Sequence, residues 1–125
     1  MVCIESWGYL FGAPIACELG SRIVLARQAG KLPRPTLGQN CTMGYARYRR
    51  MELHISAIQT SDRVLLADDV LATGGTALAA VDLVSLTGAR IVGASFAVDI
   101  VELHRFPARS LLEARGVKLF AAARI

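Results

Sequence analysis

Residues 64–80 read Val-Leu-Leu-Ala-Asp-Asp-Val-Leu-Ala-Thr-Gly-Gly-Thr-Ala-Leu-Ala-Ala, and this string holds most of the chain's recognisable chemistry. Asp68 and Asp69 are adjacent carboxylates at the end of an apolar run, where like charges repel and solvation is poor. Alone, such a pair reads as a turn cap beside a solvent-facing charge. Here Ala72-Thr73-Gly74-Gly75-Thr76 follows, and then a stretch with helical spacing. Glycines let backbone N–H groups turn inward with no Cβ in the way. Thr73 and Thr76 add hydroxyl donors, and a helix starting near Thr76 directs its positive end to the same point. The result is a cradle for a phosphate. The two carboxylates just upstream are placed to accept hydrogen bonds from a sugar diol. A phosphate and a diol side by side describe a ribose 5-phosphate.

Elements that could hold this loop alternate along the chain. With 125 residues, 54% of them hydrophobic and 19% charged, a single domain over residues 1–125 is expected, with a real core and no intrinsic disorder. Met1 to Ile4 reads as the end of a strand, Tyr9 to Leu19 as a helix stopped by Gly20, and Arg22 to Ala26 as a strand. Pro14 is expected to delay or kink that helix. Arg27 to Arg50, with Gly30, Pro33, Pro35, Gly38 and Gly44, reads as a long irregular stretch. Met51 to Ile55 alternates like a strand. Arg63 to Asp68 reads as a buried strand, Thr76 to Leu86 as a helix, Arg90 to Val98 as a strand, Pro107 to Ala114 as a helix and Val117 to Ala121 as a last strand. Strands separated by helices imply an α/β fold, a parallel sheet flanked by crossover helices, with ligands at the carboxyl ends of the strands.

Composition narrows the partners. The net charge is +4, and twelve of the fourteen basic residues are arginine, three of them at Arg47, Arg49 and Arg50. That surplus suits an anionic ligand or a solvated basic loop. With only 6% aromatics, nucleic acid is an unlikely partner. No uncharged apolar run reaches the ~18–20 residues of a membrane span. No basic leader precedes Glu5, and a cytoplasmic location is expected. Cys3, Cys17 and Cys41 are odd in number and lack CxxC spacing, which excludes a disulfide framework and a zinc signature. His54 and His104 read as ordinary surface or core residues.

Taken whole, the 64–80 string resembles the phosphoribosyl pyrophosphate motif of the type I phosphoribosyltransferases, and its Leu-Ala-Thr-Gly-Gly-Thr wording is nearest to the adenine-specific enzymes. Residues 5–20 resemble that family's pyrophosphate loop and following helix, and residues 24–36 its second basic segment. The resemblance implies the type I phosphoribosyltransferase fold and the transfer of 5-phosphoribose from phosphoribosyl pyrophosphate to a purine base, giving a nucleoside 5-monophosphate and pyrophosphate. It implies Mg²⁺ as cofactor and a homodimer. By matching positions, Asp68 and Asp69 would hold the ribose hydroxyls and, through them, the metal. Residues 72–76 would hold the 5-phosphate. Arg27, Lys31, Ser6 and Trp7 would line the pyrophosphate side.

Three departures from the family pattern bear on activity. The pyrophosphate loop usually reads acid, small residue, arginine, glycine, but here it is Glu5-Ser6-Trp7-Gly8, and tryptophan has one N–H and no charge. The stretch Cys41 to Arg50, matching the mobile catalytic loop, has no carboxylate. The family's catalytic acid is therefore without a match, and Arg47, Arg49 and Arg50 become loop candidates for holding pyrophosphate. Finally, the family's first strand, helix and base-binding hood precede the segment matching Met1 to Ile4, so a domain shortened at its N-terminus and lacking the hood is expected. A non-catalytic binder of phosphoribosyl pyrophosphate or nucleotide, and an enzyme for hypoxanthine or xanthine, are the alternative readings.

Overall fold

The computed structural model describes residues 1–43 and 47–125; Gly44, Tyr45, Ala46 and the side chains from Thr42 to Arg49 lie outside the described residues. The elements are β1 (Val2–Ile4), α1 (Trp7–Glu18), β2 (Val24–Gln28), β3 (Thr36–Met43), β4 (Arg47–His54), β5 (Arg63–Leu71), α2 (Gly75–Ser85), β6 (Arg90–Asp99), a 3-10 turn (Val101–Arg105), α3 (Ala108–Ala114) and β7 (Lys118–Arg124). They form one seven-stranded sheet in the order β3-β4-β2-β1-β5-β6-β7. Strands β2, β1, β5, β6 and β7 run parallel, each to its neighbour. The expected parallel sheet with crossover helices is thus present.

The expected irregular stretch 27–50 is irregular only over 29–35 among the described residues. Within it, β3 and β4 pair antiparallel from Thr36↔His54 to Met43↔Arg47, and β4 joins β2 through Arg27↔Glu52 and Gln28↔Met51. Gly38 and the polar run Gln39-Asn40 hide the strand signal, because this ribbon lies at the sheet's edge and needs no continuous apolar pattern. Strand β5 also continues beyond the predicted Asp68 to Leu71, so the two aspartates lie within the strand rather than closing it.

The chain leaves β1 toward β2 on one side and β5 toward β6 and β7 on the other. Because parallel crossovers are right-handed, α1 covers one face of the sheet and α2 with α3 the other. Strands β1 and β5 adjoin at the point where the winding reverses, which is where a ligand crevice opens in such sheets. The core between the sheet and α2 is built on Val2, Ile4, Leu53, Leu66, Leu71, Leu83, Val84 and Phe96, each at most 2% exposed.

Helix α1 packs differently. It is apolar nearly all round, yet its buried residues are Gly8, Gly12 and Ala16, spaced by four on one face. A Cβ on Gly12 would lie 2.5 Å from Cys3 Sγ and 2.8 Å from Ala67 Cβ. The helix backbone therefore rests almost directly on β1 and β5. Pro14 is inside α1, on its exposed side, and neither delays nor ends the helix.

Candidate active site

Two chain segments meet at the switch point. From β1 comes Glu5-Ser6, leading into α1; from β5 come Asp68 and Asp69, followed by Ala72–Gly75 and α2. Gly8 joins them. A Cβ there would sit 2.8 Å from the Ala67 carbonyl and 3.1 Å from Asp68 Oδ1. The first turn of α1 is thus pressed onto the acidic strand, an approach only glycine allows. The sequence signal for it is the small-residue spacing 8, 12 and 16.

Asp68 is buried and Asp69 half-buried, and the Asp69 N–H donates to Asp68 Oδ1 at 3.0 Å. No cation contacts either carboxylate among the described residues. Burial is the main reason the Asp68 carboxyl is pushed up to about 8, and the neighbouring Asp69 adds to it. After Leu71 the chain turns through Ala72 and Thr73, both half-buried, into Gly74, the residue before α2. Gly74 has φ +81°, the left-handed region, whereas Gly75 and Thr76 already belong to α2. The two glycines are alike in the sequence motif; the backbone conformation distinguishes them.

The cationic side lies across the switch point. A cavity of about 200 Å³ is lined by Glu5, Ser6, Arg27, Lys31, Arg50 and Thr76, with Ile4, Ala26 and Met51 among its apolar walls. Ser6, Arg27, Lys31, Arg50 and Thr76 are thereby brought together, although they come from four separate stretches of sequence. Glu5 organises them. Its Oε1 lies 2.5 Å from Lys31 Nζ and 3.6 Å from Arg27 NH2, and its Oε2 accepts the Gln28 N–H at 2.7 Å. Burial alone would raise the Glu5 carboxyl, but the Lys31 and Gln28 hydrogen bonds and the two nearby cations hold it below its ordinary value. Arg50 lies across Gly38 and approaches Glu52 at 3.4 Å. The Arg47 and Arg49 side chains and Gly44–Ala46 of the loop lie outside the described residues. Trp7 opens α1, is 65% exposed and is not among the residues lining this cavity, so of the expected pyrophosphate-side residues it alone is not brought to it.

The residues fit Mg²⁺ in a limited way. Asp68 and Asp69 offer the hard oxygen donors this ion prefers, but no group of three or more metal-ligating side chains exists among the described residues. One or two carboxylates, with the rest of the shell from ligand oxygens and water, is ordinary Mg²⁺ binding.

The Phosphoribosyl transferase domain family matches residues 1–103. The chain belongs to this family. Among curated proteins it is 46% identical to an adenine phosphoribosyltransferase of Nitrosospira multiformis over 118 residues, 94% of this chain and 65% of that protein. It is 40% identical to an adenine phosphoribosyltransferase of Vibrio parahaemolyticus over 121 residues, 97% of this chain and 65% of that protein. The chain thus spans about 65% of the length of these relatives. Among solved structures, the adenine phosphoribosyltransferase from Rhodothermus marinus superposes with a TM-score of 0.89 at 38% identity, covering 99% of this chain and 68% of that one. The enzyme from Trypanosoma brucei, solved with AMP, pyrophosphate and ribose-5-phosphate, superposes with a TM-score of 0.87 at 32% identity, covering 98% and 54%.

The histidines, expected to be ordinary surface or core residues, are both half-buried. His104 Nε2 lies 2.6 Å from the buried Asp99 carboxylate, as part of a polar cluster. His54 lies beside Arg34, at 3.5 Å, on the edge ribbon.

Proposed function

We propose that this phosphoribosyltransferase is of the adenine type, passing 5-phosphoribose from phosphoribosyl pyrophosphate to adenine to give AMP and pyrophosphate. The observation that carries the reading is the meeting, at one switch point, of an acidic strand, a Thr/Gly turn before a helix, and a cavity rimmed by Arg27, Lys31 and Arg50. In the reaction a bond forms between a ring nitrogen of the base and C1 of the ribose. The bond from C1 to pyrophosphate breaks, and the base loses its N–H proton. Positive charge develops on the ribose ring and negative charge on the leaving group, so the protein's task is positioning and charge compensation. Asp68 and Asp69 accept hydrogen bonds from the ribose hydroxyls. Thr73, Thr76 and the N–H groups of the 72–76 turn hold the 5-phosphate. Lys31, Arg27 and Arg50 neutralise pyrophosphate, and Ser6 donates to it. Asp68 and Asp69, through the ribose hydroxyls, would hold Mg²⁺, which when bound would compensate the phosphate charge.

Two coarser properties extend in the same way. The outer side of α1 leaves Trp7 at 65%, Leu10 at 68% and, just past its end, Leu19 at 62% exposure, which supports a homodimer formed over this apolar surface. No described helix is long and apolar enough to cross a membrane, and the three cysteines are unpaired, which favours the cytoplasm.

The test is an assay of AMP formed from adenine with phosphoribosyl pyrophosphate and Mg²⁺, run beside hypoxanthine, guanine and xanthine. Product with adenine ahead of the other bases is expected, below the ~1–1000 s⁻¹ of ordinary enzymes because Trp7 brings no charge. A second reading, a non-catalytic binder, is favoured by that exposed, neutral Trp7 in the pyrophosphate loop. It predicts phosphoribosyl pyrophosphate binding with no turnover on any base. Absence of binding would overturn both.

A further inference from the structure

A second polar cluster lies behind the phosphate turn, at the ends of β6 and β7. Asp99, 1% exposed, closes β6 opposite Leu71, the last residue of β5, and the Ile100 N–H donates to the Leu71 carbonyl at 3.0 Å. The Asp99 carboxylate meets His104 Nε2 at 2.6 Å, Arg109 NH1 at 2.8 Å and, more distantly, Arg124 Nε at 3.6 Å. Arg109 also reaches Glu113 at 3.2 Å. A carboxylate this buried is tolerated only when cations and hydrogen bonds surround it.

The cluster touches the candidate site through Gly74. A Cβ on Gly74 would lie 2.9 Å from Ala108 Cβ and 3.4 Å from the Arg109 backbone nitrogen. Ala108 and Arg109 open α3. The turn Ala72–Gly74 is thus bounded in two places. Leu71, paired with Asp99, holds its start; Ala108 presses on Gly74, which keeps its φ of +81°. The Asp99–Arg109 ion pair closes this frame, tying the wall behind Gly74 to the strand beside Leu71.

We propose that Asp99 and Arg109 are positioning residues for the phosphate turn, setting its shape by holding Ala108 against Gly74 without touching the ligand. The inference rests on the reading of residues 72–76 as a phosphate cradle. A cradle built from backbone N–H groups works only when they converge, so a small displacement of Gly74 costs affinity out of proportion to the movement. The alternative is that the cluster merely anchors the chain's end, since the Ile125 N–H donates to the Asp99 carbonyl.

The experiment compares calorimetric affinities for ribose 5-phosphate and for inorganic pyrophosphate, the latter a probe of the Glu5–Lys31 cavity. Arg109→Gln leaves Asp99 with His104 and Arg124 as partners. It is expected to weaken ribose 5-phosphate about tenfold or more while leaving pyrophosphate unchanged. Ala108→Val, which alters only the wall behind Gly74, is expected to show the same selective loss, and it decides the matter should Arg109→Gln not fold. Unchanged ribose 5-phosphate affinity in a folded variant, or equal loss for both ligands, would overturn the inference. A parent chain that binds pyrophosphate but no ribose 5-phosphate would instead overturn the cradle reading beneath it.

Discussion

Glu5, just past the end of β1, and Asp68, in the neighbouring parallel strand β5, are carboxylates at the same switch point, and their surroundings push them in opposite directions. Glu5 has Lys31, Arg27 and the Gln28 N–H around it and is held ionised. Asp68 has a like-charged neighbour, a buried position and no contacting cation among the described residues, and it is pushed up to about 8. The difference teaches how the site divides its work. On the β1 side an internal anion keeps a set of cations gathered in the absence of ligand. On the β5 side a carboxyl is left wanting a partner, and hydroxyl groups or a cation brought by a ligand would supply it. Pairs of acids driven apart in this way commonly mark functional sites.

The largest expected effect comes from forcing the two halves apart. Gly8→Val places a branched side chain against the Ala67 carbonyl and Asp68, with no room for it. Overpacking of this kind costs about 1–3 kcal/mol, more where backbone must move. A thermal melt should show a drop of several degrees, and a transition within a degree of the parent would mean that α1 does not rest on β5 as described.

Next in size is Asp68→Asn. Above pH 8, where Asp68 is ionised, it should weaken ribose 5-phosphate about ten- to a hundredfold, the value of ~1.5–3 kcal/mol for a hydrogen bond to a charged group, and leave inorganic phosphate unaffected. Equal loss for both ligands would point to misfolding. Stability should move the other way. The folded carboxyl titrates near 8 and the unfolded one near 4, so between these pH values the native state holds a proton that the unfolded state has released. Stability from this group is full below about pH 4 and is lost as the pH rises through 8. The Asn variant should lack that slope in denaturant titrations, and the persistence of an identical slope would refute the burial of Asp68.

Glu5→Gln should act with the opposite sign. Glu5 is depressed in the folded state, so its contribution is present above its ordinary pKa and lost as the pH falls through the depressed one. The variant should lose this acid-side dependence. Freed from their internal anion, Lys31 and Arg27 should bind pyrophosphate a few-fold tighter at low salt, with the gain shrinking as salt rises. Weaker pyrophosphate binding at every salt concentration would show that Glu5 mainly orients the cations.

The smallest effect expected is for Trp7→Arg. With 65% of Trp7 exposed, the exchange should barely move stability, while a guanidinium in the Glu5–Gly8 segment raises turnover on adenine several-fold. Unaltered steady-state kinetics would remove the missing charge as a cause of slow transfer.

What the sequence determined by itself was local: the Asp68-Asp69 pair, the Thr/Gly turn, and the strand and helix alternation from residue 63 onward. These were legible because turn glycines and continuous apolar strands carry their signal within a few residues. The β3–β4 ribbon was not legible, since an edge hairpin with glycine and polar residues needs only cross-strand partners, and those are found on folding. Nor could adjacency be read. That β1 lies beside β5, that Glu5 gathers Lys31 and Arg27 over gaps of more than twenty residues, and that Asp99 reaches the far side of the Gly74 turn through Arg109 all depend on which strands neighbour one another. A carboxyl's ionisation depends on burial and on charges brought from distant parts of the chain. Asp68 and Glu5 could therefore be found in the sequence as acids, but only the tertiary structure decided that they behave as opposites.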